Sequence, residues 1–242
     1  MIFFLKLKKL ILDVLFPLAC LGCGKEDVWL CDECLEKIPL EEFFYCPVCK
    51  QESLRGEVHA HCQSDFYLDG LLIAGQWENK NLRQLIHKLK YNFVQDLKIP
   101  LGKILIKKIQ QANHFFTPAL SASYFDGLIS VPLARQRLLW RGFNQAQLLA
   151  EQIMPHLETP VWRETIKRIK NTKPQVGQKQ QQRQKNISGA FLCDLKFINS
   201  LKDKKILLID DVYTTGATML EVAKVLKTAG AKEVWGLVLA RG

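Results

Sequence analysis

Apolar positions recur along this chain in two rhythms. After residue 66, short unbroken apolar runs alternate with stretches where apolar residues return every three or four positions. "YLDGLLIAGQW", "FDGLISVPL", "KKILLID" and "EVWGLVLAR" are the runs, and each has the length of a buried strand. "NLRQLIHKLKYN", "KIPLGKILIKKIQQA", "NQAQLLAEQIMPHL" and "MLEVAKVLKTAG" carry the helical period. "NHFFTPALSASY" is turn-rich, and the basic, Gln-rich stretch before residue 186 reads as a loop. Strands alternating with helices predict βαβ units: an α/β domain over 66–242 with a mostly parallel sheet flanked by helices. Ligands on such sheets bind beyond the carboxyl ends of the strands.

The first 65 residues follow different rules. Phe4, Leu7, Ile11, Leu12 and Leu15 fall on one helical face, which predicts an amphipathic helix over 1–17 that packs on the domain or lies along a membrane surface. Lys6, Lys8, Lys9 and Asp13 break the apolar run, so it is too short to cross a bilayer and poorly formed as a secretory signal. Residues 18–65 have no hydrophobic period and are organised by cysteine. Seven of the eight cysteines lie in the first 62 residues, six of them as C-x-x-C pairs.

Each C-x-x-C can place two thiolates on one cation, and three pairs in a row are metal-ligand spacing rather than a disulfide framework. Cys20, Cys23, Cys31 and Cys34 supply two pairs, and Cys46 and Cys49 the third; His59 and Cys62 complete a fourth, with His61 competing for the histidine position. Sequential pairing gives one zinc ribbon with four cysteine ligands and a second with three cysteines and a histidine; cross-braced pairing is the alternative. Closed four-ligand sites are structural, so zinc here is expected to fold the module. Cys193, alone in "FLCDL", reads as buried. Thiols in this pattern imply a reducing compartment, and the expected location is the cytoplasm.

Charge adds a partner class. The net formal charge is +10, and residues 163–185 alone hold eight Lys or Arg against one Glu. Such a balance favours polyanionic partners such as nucleic acid or phosphorylated small molecules. No aromatic residue interleaves with that basic stretch, so it lacks the stacking groups expected of a single-strand binder.

The sharpest motif is "ILLIDDVYTTGAT", residues 206–218. An apolar strand climbs into Asp210 and Asp211, whose carboxylates can accept from vicinal ribose hydroxyls or help hold hydrated Mg2+. Thr214, Thr215 and Thr218 offer hydroxyls, Gly216 lets the backbone turn, and the amides at Gly216 and Ala217 point toward a phosphate at the N-terminus of the next helix. Adjacent aspartates repel unless a cation or ligand compensates, which favours binding over a purely structural turn. A nucleotide-binding G-x-x-x-x-G-K-[ST] loop is absent, and a phospho-receiver domain would carry its paired acids near its beginning.

Residues 206–218 resemble the phosphoribosyl pyrophosphate (PRPP) loop of type I phosphoribosyltransferases at every position. "LFPLACLGCG", "LIHKLKY", "VPLARQRLLWRGFNQA" and "TKPQVGQKQQQRQKNISGAF" extend the likeness, in order and over nearly the whole chain, to the ComF family of competence-associated proteins. That resemblance implies a double zinc ribbon ahead of a phosphoribosyltransferase-like domain that holds PRPP with Mg2+. It implies a pyrophosphate loop at Val131, Pro132 and Leu133, with Arg135, Arg137 and Arg141 as nearby cations, and a flexible loop bearing Lys173, Arg183 and Lys185. It also implies DNA uptake in natural transformation, contact with single-stranded DNA, and DNA-uptake or recombination proteins as partners. Two other functions stay open: a salvage phosphoribosyltransferase with an unidentified acceptor, and a PRPP-sensing regulator without turnover. Thr214 stands where 6-oxopurine salvage enzymes carry an acid and argues against that acceptor class, whereas orotate-type enzymes also have Thr there. The last strand runs to the final residue, so a hood over an acceptor base is expected from earlier segments, with Trp77, His87 and Tyr91 as candidates.

Overall fold

The computed structural model describes residues 18–64, 66–115, 124–170 and 187–242. The helix expected over 1–17, most of the turn-rich stretch after Phe115, and Lys173, Arg183 and Lys185 lie outside the described residues. In chain order the elements are α1 (Asp32–Glu36), β1 (Gly70–Gln76), α2 (Lys80–Tyr91), α3 (Lys98–Asn113), β2 (Gly127–Ser130), α4 (Arg135–Arg141), α5 (Gln145–Leu157), β3 (Ile166–Arg168), β4 (Phe191–Cys193), α6 (Ile198–Leu201), β5 (Lys205–Tyr213), α7 (Ala217–Thr228) and β6 (Glu233–Arg241). No helix among the described residues is long and apolar enough to cross a membrane.

Four strands form one sheet in the order β1-β6-β5-β2, and every neighbouring pair is parallel. The unbroken apolar runs are explained by burial on both faces. Leu207 and Ile209 face a core shared with α2, α3 and α5, while Ile206 and Leu208 face a second core with α7 and the β3–β4 hairpin. Asn79 and Asn144 start α2 and α5 by accepting hydrogen bonds from Leu82 and Ala146 amides.

Three features depart from the sequence pattern. Strand β5 does not stop at Asp210: its register with β6 continues to Tyr213 opposite Arg241, so both aspartates sit on a paired strand. Helix α4 has no signature in the sequence because six of its seven residues are exposed, leaving no apolar stripe. It ends at Gly142, where φ is +79° and the amide donates to the Leu138 carbonyl. Part of the basic stretch forms strand β3, antiparallel to β4. On β4, Cys193 is half-buried rather than buried.

The cysteine segment shares the main core. Cys20, Leu30, Cys31, Cys34, Leu35, Ile38 and Phe44 belong to the same buried cluster as Leu72, Leu82, Leu85 and Ile104; only Cys46, Val58 and Cys62 form a small core apart. Lys108 of α3 fastens this junction. It is fully buried, donates to the Glu41 carbonyl at 2.6 Å and to Gln111 Oε1 at 3.0 Å, and its ammonium lies 3.9 Å from the centre of the Phe44 ring.

Burial pulls the Lys108 ammonium down to about 8, against a weaker upward pull from the Glu41 carboxylate. Below pH 8 both folded and unfolded chains carry its proton. Between 8 and the usual 10.5 the folded chain has released it while the unfolded chain keeps it, so this group makes stability rise with pH across that window. Lys108→Met is expected to remove that rise, at most about 3 kcal/mol, in denaturant titrations at the two ends of the window.

Candidate functional site

The site is assembled at the carboxyl ends of β2 and β5. Strand β5 delivers Asp210 and Asp211, and the chain then turns through Thr214, Thr215 and Gly216 into α7. Gly216 has φ +74°, and a Cβ there would run into the Tyr213 hydroxyl, so both backbone and space favour glycine. No side chain caps α7 from this position, and the Ala217 amide makes only a long 3.4 Å bond to Thr215 Oγ1. The first-turn amides of α7, with the Thr214, Thr215 and Thr218 hydroxyls beside them, form an arrangement suited to an anion.

Beside this turn a cavity of about 130 Å³ opens among Lys90 and Tyr91 of α2, Val131, Pro132 and Leu133, Arg137 and Arg141 of α4, Gln145, Arg168 of β3, and Asp210, Asp211 and Thr218. Its loop after β2 is pinned twice: Val131 donates its amide to the Ile209 carbonyl at 2.9 Å, and Asn144 Nδ2 donates to the Val131 carbonyl at 3.0 Å. Charge inside is arranged in opposition. Lys90 Nζ lies 2.8 Å from Asp211 Oδ1, and the Asp211 amide donates to Asp210 Oδ1 at 2.8 Å. Burial, and then the adjoining Asp211 carboxylate, push Asp210 up to about 7, against the pull of that amide, Lys90 and Arg168. Arg141 is buried and donates to Gln145 Oε1, and burial lowers its guanidinium against the Asp211 charge.

Two buried polar atoms of residues lining this cavity have no partner among the described residues: Arg141 Nε and Asp211 Oδ2. A buried donor and a buried acceptor left unmet are costly, and a ligand carrying both anionic oxygens and hydroxyls satisfies both. PRPP with Mg2+ is such a ligand, so the residues present fit the group.

The structure thus brings Val131, Pro132, Leu133, Arg137, Arg141, Asp210, Asp211 and Thr218 around one cavity. Thr214, Thr215, Gly216 and Ala217 form the adjoining turn rather than its wall, and Arg135 lines a neighbouring groove of about 500 Å³ with Trp162 and Arg168. Of the hood candidates, Tyr91 reaches the cavity and His87 packs on it at 4.6 Å between rings, while Trp77 packs against the main core. Sequence reasoning missed Lys90, Gln145 and Arg168. Lys90 ends a helix whose sequence reads as an ordinary charged face, and Arg168 lies within the basic stretch with nothing local to single it out. Only the tertiary approach of α2 and β3 to β5 distinguishes them.

The cysteines form two clusters. The sulfurs of Cys20, Cys23, Cys31 and Cys34 all lie within 4.8 Å of one another, which joins the first C-x-x-C to the second and not to the third. The Gly22 and Cys31 amides donate to Cys20 Sγ, each at 3.4 Å. Burial raises the Cys20 thiol, but the Cys31, Cys23 and Gly22 amides outweigh it and bring it down to about 6. Hydrogen bonding to Cys31, and then burial, push Cys34 up to about 12. Four sulfurs this close, one of them readily ionised, are a donor set for a thiophilic divalent cation. In the second cluster Cys49 is shared by two groupings, with Cys46 and His59 on one side and His61 and Cys62 on the other. Cys49 Sγ lies 3.3 Å from His59 Nδ1, and the His59 and His61 rings stack at 5.5 Å, so both histidines adjoin this cluster.

Comparison with known proteins agrees with this geometry. The family model described as "Phosphoribosyl transferase domain" matches residues 141–242. Competence protein F of Haemophilus influenzae is 31% identical over 215 residues, covering 87% of this chain and 90% of that protein. DNA utilization protein YhgH of Escherichia coli K12 is 31% identical over 158 residues, 64% of this chain and 66% of that one. Competence protein ComFC of Bacillus subtilis is 29% identical over 216 residues, 85% and 81% respectively. Among solved structures, a purine phosphoribosyltransferase from Pyrococcus horikoshii is similar at 21% identity with a TM-score of 0.31, covering 63% of this chain and 75% of that one, a distance at which it adds no weight. With a parallel sheet bearing this glycine turn, and a relative matched over nine-tenths of its length, the chain belongs to the ComF family.

Proposed function

We propose that this protein serves DNA uptake, that its phosphoribosyltransferase-like domain over 66–242 holds PRPP with Mg2+, and that it contacts single-stranded DNA. Residues 18–65 are a double zinc ribbon docked on that domain. The relatives' names, competence protein and DNA utilization protein, support the biological setting. The cytoplasm, where thiols stay reduced, is the location this reading requires. The observation that carries the ligand assignment is the pair of buried atoms without a partner among the described residues, Arg141 Nε and Asp211 Oδ2, in two residues that line one cavity at the end of β5.

In this reading Asp210 and Asp211 accept from the ribose hydroxyls, and the α7 amides with Thr214, Thr215 and Thr218 hold the 5′-phosphate. Val131 to Leu133 wrap the diphosphate, and Arg137 and Arg141 neutralise it. Mg2+ on the diphosphate supplies charge neutralisation for the leaving group when bound. Lys90 offsets the Asp211 charge while the cavity holds no sugar. Lys173, Arg183 and Lys185, outside the described residues, stand where the family resemblance implies the loop that closes over PRPP in active transferases.

A second reading is phosphoribosyl transfer to a nitrogen acceptor in salvage; Thr214, which orotate-type transferases share, does not argue against it. Titration calorimetry with PRPP and Mg2+, followed by pyrophosphate detection with free bases and with oligonucleotide, separates the two. Binding without pyrophosphate release supports a holding or sensing role, and release with a particular base supports transfer. Absence of any PRPP heat at millimolar ligand overturns the assignment of the cavity.

A further inference from the structure

Helix α4 and the end of α2 bring together a group of side chains that the basic stretch lacks. Trp140 is 58% exposed, Tyr91 50% and Phe93 40%. The Phe93 and Trp140 rings meet edge to face at 4.9 Å, and Tyr91 lies 6.2 Å from Trp140. Phe93 holds φ +59°, a conformation bulky residues avoid, and in it the ring packs on Trp140. Three contiguous exposed rings on a charged chain mark a contact surface rather than scattered surface residues.

Charge and position choose the occupant. Arg135 and Arg137 are exposed on the same helix, and neither has an acidic partner among the described residues. The Arg141 guanidinium lies 5.8 Å from the Tyr91 ring. Exposed guanidiniums beside exposed aromatic rings suit a strand whose bases are unstacked and whose phosphates run alongside; a duplex keeps its base faces covered. Tyr91 also lines the PRPP cavity, so the patch continues from the mouth of that cavity.

We propose that Tyr91, Phe93 and Trp140 form a stacking platform for the bases of single-stranded DNA, with Arg135 on its phosphates. This rests on the DNA-contact part of the function proposed above and assigns it a surface. Binding of labelled oligothymidylate, followed by anisotropy across a salt series, tests it. The double substitution Phe93→Ala, Trp140→Ala is expected to weaken binding roughly 5- to 100-fold with an unchanged salt slope. Arg135→Ala is expected to reduce the slope by about one. An abasic strand of equal length should lose affinity on the wild-type chain and lose little further on the double variant.

Equal affinity of the double variant and the wild type, or of abasic and ordinary strands, overturns the platform while leaving DNA contact elsewhere intact. Failure of the wild-type chain to bind the strand at low salt overturns both. Because these rings are exposed, the variants are expected to fold, and the abasic arm on the wild type is decisive without them.

Discussion

Chelating the zinc proposed for the cysteine clusters is expected to unfold residues 18–65 and to lower the melting temperature of the whole chain. The four-sulfur cluster of Cys20, Cys23, Cys31 and Cys34 encloses a donor set with little apolar core of its own. Structural zinc sites of this kind contribute about 10–16 kcal/mol of folding free energy, more than a segment of this size can gain otherwise. The effect should spread, because Cys20, Leu30, Leu35, Ile38 and Phe44 cover the face of the main core formed by Leu72, Leu82 and Ile104. Cys23→Ser is the most informative variant. Cys23 is exposed, so the substitution removes little packing and its cost reports the lost ligand. Metal release measured with a colorimetric indicator and thermal melts before and after chelation read the outcome, with Cys193→Ser as control. Identical melts for chelated and untreated protein would exclude a structural metal.

Asp210→Asn and Asp211→Asn are each expected to weaken PRPP–Mg2+ binding by roughly 10- to 100-fold, since each removes a hydrogen bond to a charged group worth about 1.5–3 kcal/mol. Their effects on stability should have opposite signs. The Asp210 carboxyl is raised to about 7, so the folded chain favours its protonated form. That contribution is complete at acid pH and is lost as pH rises through about 7. Above that pH the neutral Asn is expected to stabilise the free protein by roughly 1–2 kcal/mol, after allowing for solvent near the cavity. Asp211→Asn instead leaves Lys90, 17% exposed, without its acid at 2.8 Å, and should destabilise it. Calorimetric titrations and thermal melts above pH 7 check both. A variant that binds as tightly as the parent removes that aspartate from the site.

Much of the architecture is legible in the sequence. The four apolar runs and four periodic stretches are the four sheet strands and the helices α2, α3, α5 and α7, because burial on one face or on two imposes the period directly. The turn after β5 is legible for a related reason: a strand end, two acids and a glycine at φ +74° are local requirements, met within a few consecutive residues. Helix α4 is not legible, since an exposed helix carries no hydrophobic period, and strand β3 is hidden inside a run of charge. The extension of β5 through Asp211 depends on pairing with β6, a separate strand beyond the intervening helix.

By itself, then, the sequence determined the parallel α/β class, the glycine turn within 206–218 and the paired spacing of the cysteines, because each follows from short-range periodicity or spacing. Tertiary structure alone decided which cysteine pairs meet, that Lys90 faces Asp211, that Arg141 and Asp211 leave a donor and an acceptor unmet in one cavity, and that Trp140 stands beside Tyr91 and Phe93. Most of those pairings join residues far apart in the chain. Their energies depend on how helices pack across the sheet, and no local pattern encodes that distance.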